Sequence, residues 1–118
     1  MASNSITMKR NDTRPFLDVV LQDVDGTALD LQNGGVAASG ITFTMKNLDD
    51  DSIKVNKEIC DPIYATTGMV RYSWDGSDTN TAGTYVGEFN VLYNDGTNLT
   101  IPTSSVLSIV ILEDYDNA

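Results

Sequence analysis

The chain contains no histidine and only one cysteine among its 118 residues. The missing imidazole excludes Ser-His-Asp and Cys-His catalysis, zinc sites built on histidine, and histidine pH switching. A lone thiol, Cys60, closes no internal disulfide, so a secreted disulfide scaffold is excluded and a reducing compartment is expected during folding. Basic residues are scarce, 7 against 17 acidic ones, for a net charge of −10. A surface of that sign repels phosphate, which argues against nucleic acid as a partner; it favours solubility and docking onto a basic surface. Long apolar runs are missing as well. The longest, near Ile109 to Leu112, is far too short to cross a bilayer, so no membrane role is expected. The opening MASNSITMKRNDTRP lacks the apolar centre of a secretory signal, and the chain is expected to stay where it is made. No window joins a helical apolar stripe to caps at both ends.

What the sequence does have is alternation. Residues of opposite character follow one another in ITFTMK (Ile41, Phe43 and Met45 against Thr42, Thr44 and Lys46) and in MVRYSW (Val70, Tyr72 and Trp74 against Arg71 and Ser73). The same period runs through YVGEFNVLY, with Tyr85, Phe89, Val91 and Tyr93 on one side and Glu88 and Asn90 on the other. In FLDVVLQD it turns Leu17, Val19 and Leu21 inward. VLSIVIL is apolar on both faces, as a central strand is, whereas the more polar SIKVNKEI suits an edge. Turn signals separate these runs: DVDGT, NGG, LDDDS, ATTG, DGSD and NDGT. SDTNTAG has room for one short helical turn before Tyr85, and NGGVAASG (Asn33 to Gly40) reads as an inter-strand loop. Short strands at even spacing in a chain of single-domain length predict a β-sandwich. AGTYVG fits the tyrosine corner of immunoglobulin-like sandwiches, with Tyr85 bonding back to the preceding turn. Gly87 stands where antibody domains carry a cysteine, and Trp74 directly precedes this late strand. The expected fold is therefore all-β: an immunoglobulin-like antiparallel sandwich of about seven strands with no disulfide. Residues 1–15 form an arm with a first short strand, 16–114 the sandwich and 115–118 a tail.

Several stretches invite a chemical reading, and each has a plainer one. Asp23, Asp25 and Gly26 open like a calcium loop, but the twelfth position from Asp23 is Gly34 instead of the required glutamate, so a hairpin turn is the better reading. Asp49, Asp50 and Asp51 could gather a hard cation, yet they read as a solvated turn, and no metal or cofactor is expected. A carboxylate hydrolase would have only Glu58, Glu88 and Glu113 as glutamates, and nothing marks a cleft. No catalytic residue is assigned. Tyr72, Trp74, Tyr85 and Tyr93 fall on core faces, leaving Tyr64 and Tyr115 unassigned as sugar platforms. Met8, Met45 and Met69 read as core or near-core filler, and Cys60 as a buried inert thiol. Asn11 and Asn98 match the glycosylation sequon, a chance match in a chain without a secretory signal. Lys9, Arg10 and Arg14 make the opening arm basic in an acidic chain; a polar arm of this kind is expected to be ordered by a partner, with these three residues setting its orientation.

In order along the chain stand ITMKRNDTRPFLDVVLQDVDGTALDL, ITFTMKN, GMVRYSWDGSDTNTAGTYVGEFNVLYNDGT and IPTSSVLSIVI. This series resembles the immunoglobulin-like domain of tailed-phage virion proteins, including the N-terminal domain of phage baseplate upper proteins. The match rests on Asn11, Asp12 and Thr13, then Gly68, Tyr72, Trp74, Asp78, Thr79, Ala82, Gly83, Tyr85, Glu88, Phe89, Asp95 and Gly96, and covers nearly the whole chain. Within the motif Asp78, Thr79, Gly83 and Tyr85 are structural, with Asp78 and Thr79 expected to bond the turn that presents Tyr85. The resemblance implies a non-enzymatic structural role in a virion, with several copies per particle binding other virion proteins. Baseplate upper proteins carry long C-terminal regions, and no such region is expected of this chain. A tail or fibre-adaptor role, a head or neck role, and a carbohydrate- or cell-surface-binding module all remain open at this stage.

Overall fold

The structure, a computed structural model, describes residues 4–22, 26–31, 33, 35–101 and 107–113. Nine strands run in order: β1 (Asn4–Lys9), β2 (Leu17–Val20), β3 (Val36–Asn47), β4 (Ile53–Ile59), β5 (Asp61–Tyr64), β6 (Met69–Tyr72), β7 (Gly83–Tyr93), β8 (Asn98–Ile101) and β9 (Leu107–Leu112). Two short 3-10 turns, Ala65–Thr67 and Gly76–Thr79, precede β6 and β7. The larger sheet has the order β1-β9-β7-β3-β4, with β8 also paired to β7; the smaller has the order β2-β6-β5. The expected immunoglobulin-like β-sandwich is the fold.

The core is what the alternation required. Ile41, Phe43 and Met45 of β3 and Tyr85, Phe89 and Val91 of β7 are buried, as are Leu17 of β2, Val70 and Tyr72 of β6, and Trp74 beyond it. Four aromatic rings make its centre. Phe43 lies 4.9 Å from Tyr72, 5.1 Å from Phe89 and 6.0 Å from Trp74, tilted or edge-on, as ring quadrupoles favour. Gly87 makes room for them: a Cβ there would come within 2.6 Å of the Phe43 ring. Central β9 buries Leu107, Ile109 and Ile111 on one face, and β4 is an edge, as its polarity suggested.

Three expectations need correction. Nine strands form where about seven were expected, because β5 and β8 carry little local signal. NGGVAASG is not all loop: β3 starts at Val36, and a register shift between Val36 and Ile41 absorbs its small residues. Nor is the arm a free segment awaiting a partner. Asn4–Lys9 pairs in parallel with Leu107–Leu112 and buries Met8. Its partner is a strand about a hundred residues away in the same chain, a contact that short-range periodicity does not report. The 115–118 tail, Tyr115 and the Asp23–Asp25 part of DVDGT lie outside the described residues, although Gln22 and Ala28 pair across that turn as a hairpin does.

Candidate functional site

Several of the residues singled out in the sequence gather at one end of the sandwich, where residues 10–16 cross from the larger sheet to the smaller. This crossing is strapped to the segment before β7. Asn11 N–H donates to Thr79 O (2.9 Å), the Thr79 hydroxyl donates to Asp12 O (2.8 Å), and Trp74 Nε1–H donates to Pro15 O (3.1 Å). Thr79 is fully buried and spends its hydroxyl on the crossing, not on the turn that presents Tyr85 as expected. Asp78 does bond its own turn: Oδ2 accepts from Asp75 N–H at 2.9 Å and from the Tyr72 hydroxyl at 2.5 Å. Asp75 answers by accepting from Ser77 N–H, and the two aspartates form a reciprocal capping box. Burial and the Asp78 contact push the Tyr72 phenol well above its ordinary range.

Tyr85 closes the arrangement. Its hydroxyl donates to Thr81 O at 2.7 Å, four residues back, while its ring is buried. That bond is the tyrosine corner. Gly83 opens β7 beside it, and a Cβ there would meet the Tyr85 ring at 3.6 Å, an ordinary contact. Asp78, Thr79, Gly83 and Tyr85 thus meet in one corner, with Thr79 reaching further than expected.

Lys9, Arg10 and Arg14 lie along the strap in three different settings. Lys9 ends β1 opposite Leu112, half-buried. Arg10 is held by its own chain, N–H to Leu112 O at 2.7 Å and Nε 3.4 Å from Glu113 Oε1, and among the described residues that nitrogen makes no hydrogen bond. Arg14 is exposed and lies over the Phe16 ring, 5.1 Å from its centroid. Among the described residues it has no carboxylate partner.

The remaining candidates stay dispersed. Asp49, Asp50 and Asp51 are exposed in the β3–β4 turn, where Asp50 accepts from Ser52 and Asp51 stands 3.3 Å from Lys46. Among the described residues no group of three or more Cys, Asp or Glu side chains is placed to share an ion. Glu58, Glu88 and Glu113 are exposed, on β4, on β7 and just past β9. Cys60 is buried, and burial followed by the nearby Asp61 charge pushes its thiol up to about 12. It is a poor nucleophile there.

Sequence reasoning missed the outer face of the smaller sheet. Asp18, Arg71 and Asp61 face each other across β2, β6 and β5, and Val20, Met69 and Tyr64 form the next row. Arg71 binds Asp18 through Nε (2.8 Å) and Nη2 (3.0 Å), which lowers the Asp18 pKa, and also lies 4.5 Å from the centroid of the Phe16 ring. Outward positions in each strand were legible, but their alignment into rows needed the register, which no local pattern carries.

Two packed sheets, a tyrosine corner and no disulfide define an immunoglobulin-like sandwich. No family model and no curated protein matches the chain. Among solved structures it is similar to CopC from Methylosinus trichosporium OB3b, with a TM-score of 0.52 and 12% identity over 96% of this chain and 86% of that one. At that identity the likeness is one of fold.

Proposed function

We propose that the chain is a non-enzymatic structural protein of a tailed-phage virion, a tail, baseplate or fibre-adaptor component that binds other virion proteins in several copies per particle. The observation that carries this reading is the block from Gly68 to Gly96, whose motif residues resemble those of the phage immunoglobulin-like domains. The geometry gives several of them a common purpose. Tyr72, Trp74, Asp78, Thr79 and Tyr85 all bond within one end of the sandwich, and Trp74 and Thr79 hold the 10–16 crossing against it. A fixed crossing presents Arg14 and the neighbouring backbone as a rigid docking feature, so less ordering entropy is lost on assembly. On a rigid scaffold of this kind function is carried by loops and edges.

The test is localisation by cryo-electron microscopy, with labelled protein, in particles produced by cells that make the chain. Density at the tail tip or fibre base is the expected result. Density on the head or neck would keep the virion class and replace the tail role with decoration or connection. A chain absent from the particles, and with no affinity for any of their components, would overturn the proposal.

A further inference from the structure

An edge strand leaves one row of backbone N–H and C=O groups unpaired, and native proteins blunt such edges against stray pairing. Among the described residues five strands have an open side: β1, β4 and β8 in the larger sheet, β2 and β5 in the smaller. Four of them are blunted. β2 and β8 are only four residues long. β5 is as short, carries Pro62, which has no N–H, and slips register after it. β4 is longer, but two register shifts interrupt its pairing, Lys57 takes a φ of +52°, and Lys54 and Lys57 add charge. β1 has none of these devices. Its six residues, NSITMK, run in unbroken register beside β9 with no proline, no acidic residue and a single lysine at the end.

One bond fixes which backbone groups of β1 are open. Arg10 N–H donates to Leu112 O, so the backbone of Arg10 points toward β9. Backbone groups alternate along a strand, and in a parallel pair the N–H and C=O of one residue point the same way. Ile6 and Met8 therefore bond β9, while the N–H and C=O of Ser5 and Thr7 point away from it, where they have no partner among the described residues. Lys9 O points outward too and accepts from Asp12 N–H at 3.2 Å, which closes the open ladder at that end. The side chains are sorted as well. Ile6 packs against the core and Met8 is buried, whereas Ser5 and Thr7 are exposed on the other face.

The complement of such a ladder is another extended chain. Its apolar side chains fall beside Ile6 and Met8, and its polar ones beside Ser5 and Thr7. Charge selects its end. Lys9 and Arg10 stand at one end of the ladder in a chain of net charge −10, so an acidic residue of the occupant belongs there. A second copy's β1 has no acidic residue to offer and brings the repulsion of a second −10. Antiparallel pairing is the more stable, which puts the acidic residue at the occupant's N-terminal end. We infer that the open edge of β1 takes an extended segment of a partner polypeptide as an added antiparallel strand, acidic at its start and alternately apolar after it. This names a partner class for the docking role proposed above but stands on the geometry of β1 alone. Strand binding by a chain absent from virions keeps it; a virion protein that binds no strand overturns it.

The test is an NMR titration of the full chain with the probe acetyl-Glu-Val-Thr-Val-Asn-Val-amide. Two outward residues offer about four hydrogen bonds, so a dissociation constant on the order of 1 mM is expected. The Ser5 and Thr7 amides should shift and gain protection from exchange, while those of Ile6 and Met8, already bonded to β9, keep theirs. A probe N-methylated at its Thr and Asn, the residues that face Thr7 and Ser5, should bind at least about tenfold more weakly. Thr7→Pro removes an N–H that β9 does not use, so it should abolish probe binding with the fold intact; the N-methylated probe carries the test if that variant does not fold. Lys9→Glu should reverse the preference for the Glu-led probe over a Lys-led one. No shift with about 5 mM probe, shifts centred away from β1, or binding indifferent to N-methylation would overturn the inference. So would a dimer of the chain alone, paired β1 to β1, in sedimentation equilibrium.

Discussion

Tyr85 shows how a single polar atom in an apolar residue ties two parts of the fold together. Its ring fills the core while its hydroxyl reaches Thr81 O at 2.7 Å. Tyr85→Phe keeps the ring and removes the bond. It should cost about 1 kcal/mol in urea unfolding with an unchanged slope, because the exposed Thr81 carbonyl can turn to water. Gly68 is held more tightly. Its φ is +79°, and a Cβ would stand 2.7 Å from Leu21 O and 2.9 Å from Leu29 O, both backbone atoms that cannot step aside. Gly68→Ala should therefore cost more than about 2 kcal/mol, well above an ordinary glycine substitution, by the same measurement. The corner was legible in AGTYVG because its bond is local. The hydroxyl of Thr79 was misassigned because its acceptor, Asp12, lies 67 residues away.

Strands with a strong period and a buried face could be read directly from the sequence. β3, β6 and β7 were placed by Phe43, Tyr72 and Phe89. β1 was harder to read. In NSITMK only Ile6 and Met8 are apolar, and what makes it a strand is the ladder that β9 offers. β5 is harder still, since Asp61 and Pro62 resemble a turn and only the register with β6 reveals it as a strand. If β1 is integral to the fold, truncating its buried side chain should be costly. Met8→Ala should lower stability by about 2 kcal/mol or more, whereas Thr7→Ala, on the exposed side, should be near neutral. Equal and small effects in thermal unfolding would mean that the strand is only loosely attached.

Across the whole molecule, the titrating groups set a pH window for stability. Hydrogen bonding to Arg71 lowers the Asp18 pKa, and bonds from Ser52 and Thr97 do the same for Asp50 and Asp95. Depressed carboxylates stabilise the fold above their ordinary value of 3.8, and that contribution is lost as pH falls through the folded values. Cys60 and Tyr72 are raised, chiefly by burial. Their contribution is complete below the ordinary values of 9.0 and 10.0 and disappears as pH rises through the folded values, about 12 for Cys60. Stability should hence be flat from about pH 4 to pH 9 and fall on either side, as followed by urea midpoints across pH. In the same window Cys60 should ignore a thiol reagent until the protein unfolds; rapid labelling of the native state would contradict its burial.

The parallel pairing of β1 with β9 has a mechanical consequence. Asn4 lies beside Leu107 and Lys9 beside Leu112, so the two strands leave the sheet in opposite directions when pulled through residues 4 and 113. Such a load runs along both strands at once. It strains six paired positions together over about 20 Å, instead of peeling them apart one after another. Forced unfolding is governed by the barrier along the pulling direction and not by equilibrium stability. Single-molecule stretching through residues 4 and 113 should accordingly show a much higher rupture force than stretching through residues 10 and 113, which opens the same ladder from one end. A domain tethered at those two points would carry tension as a shear clamp.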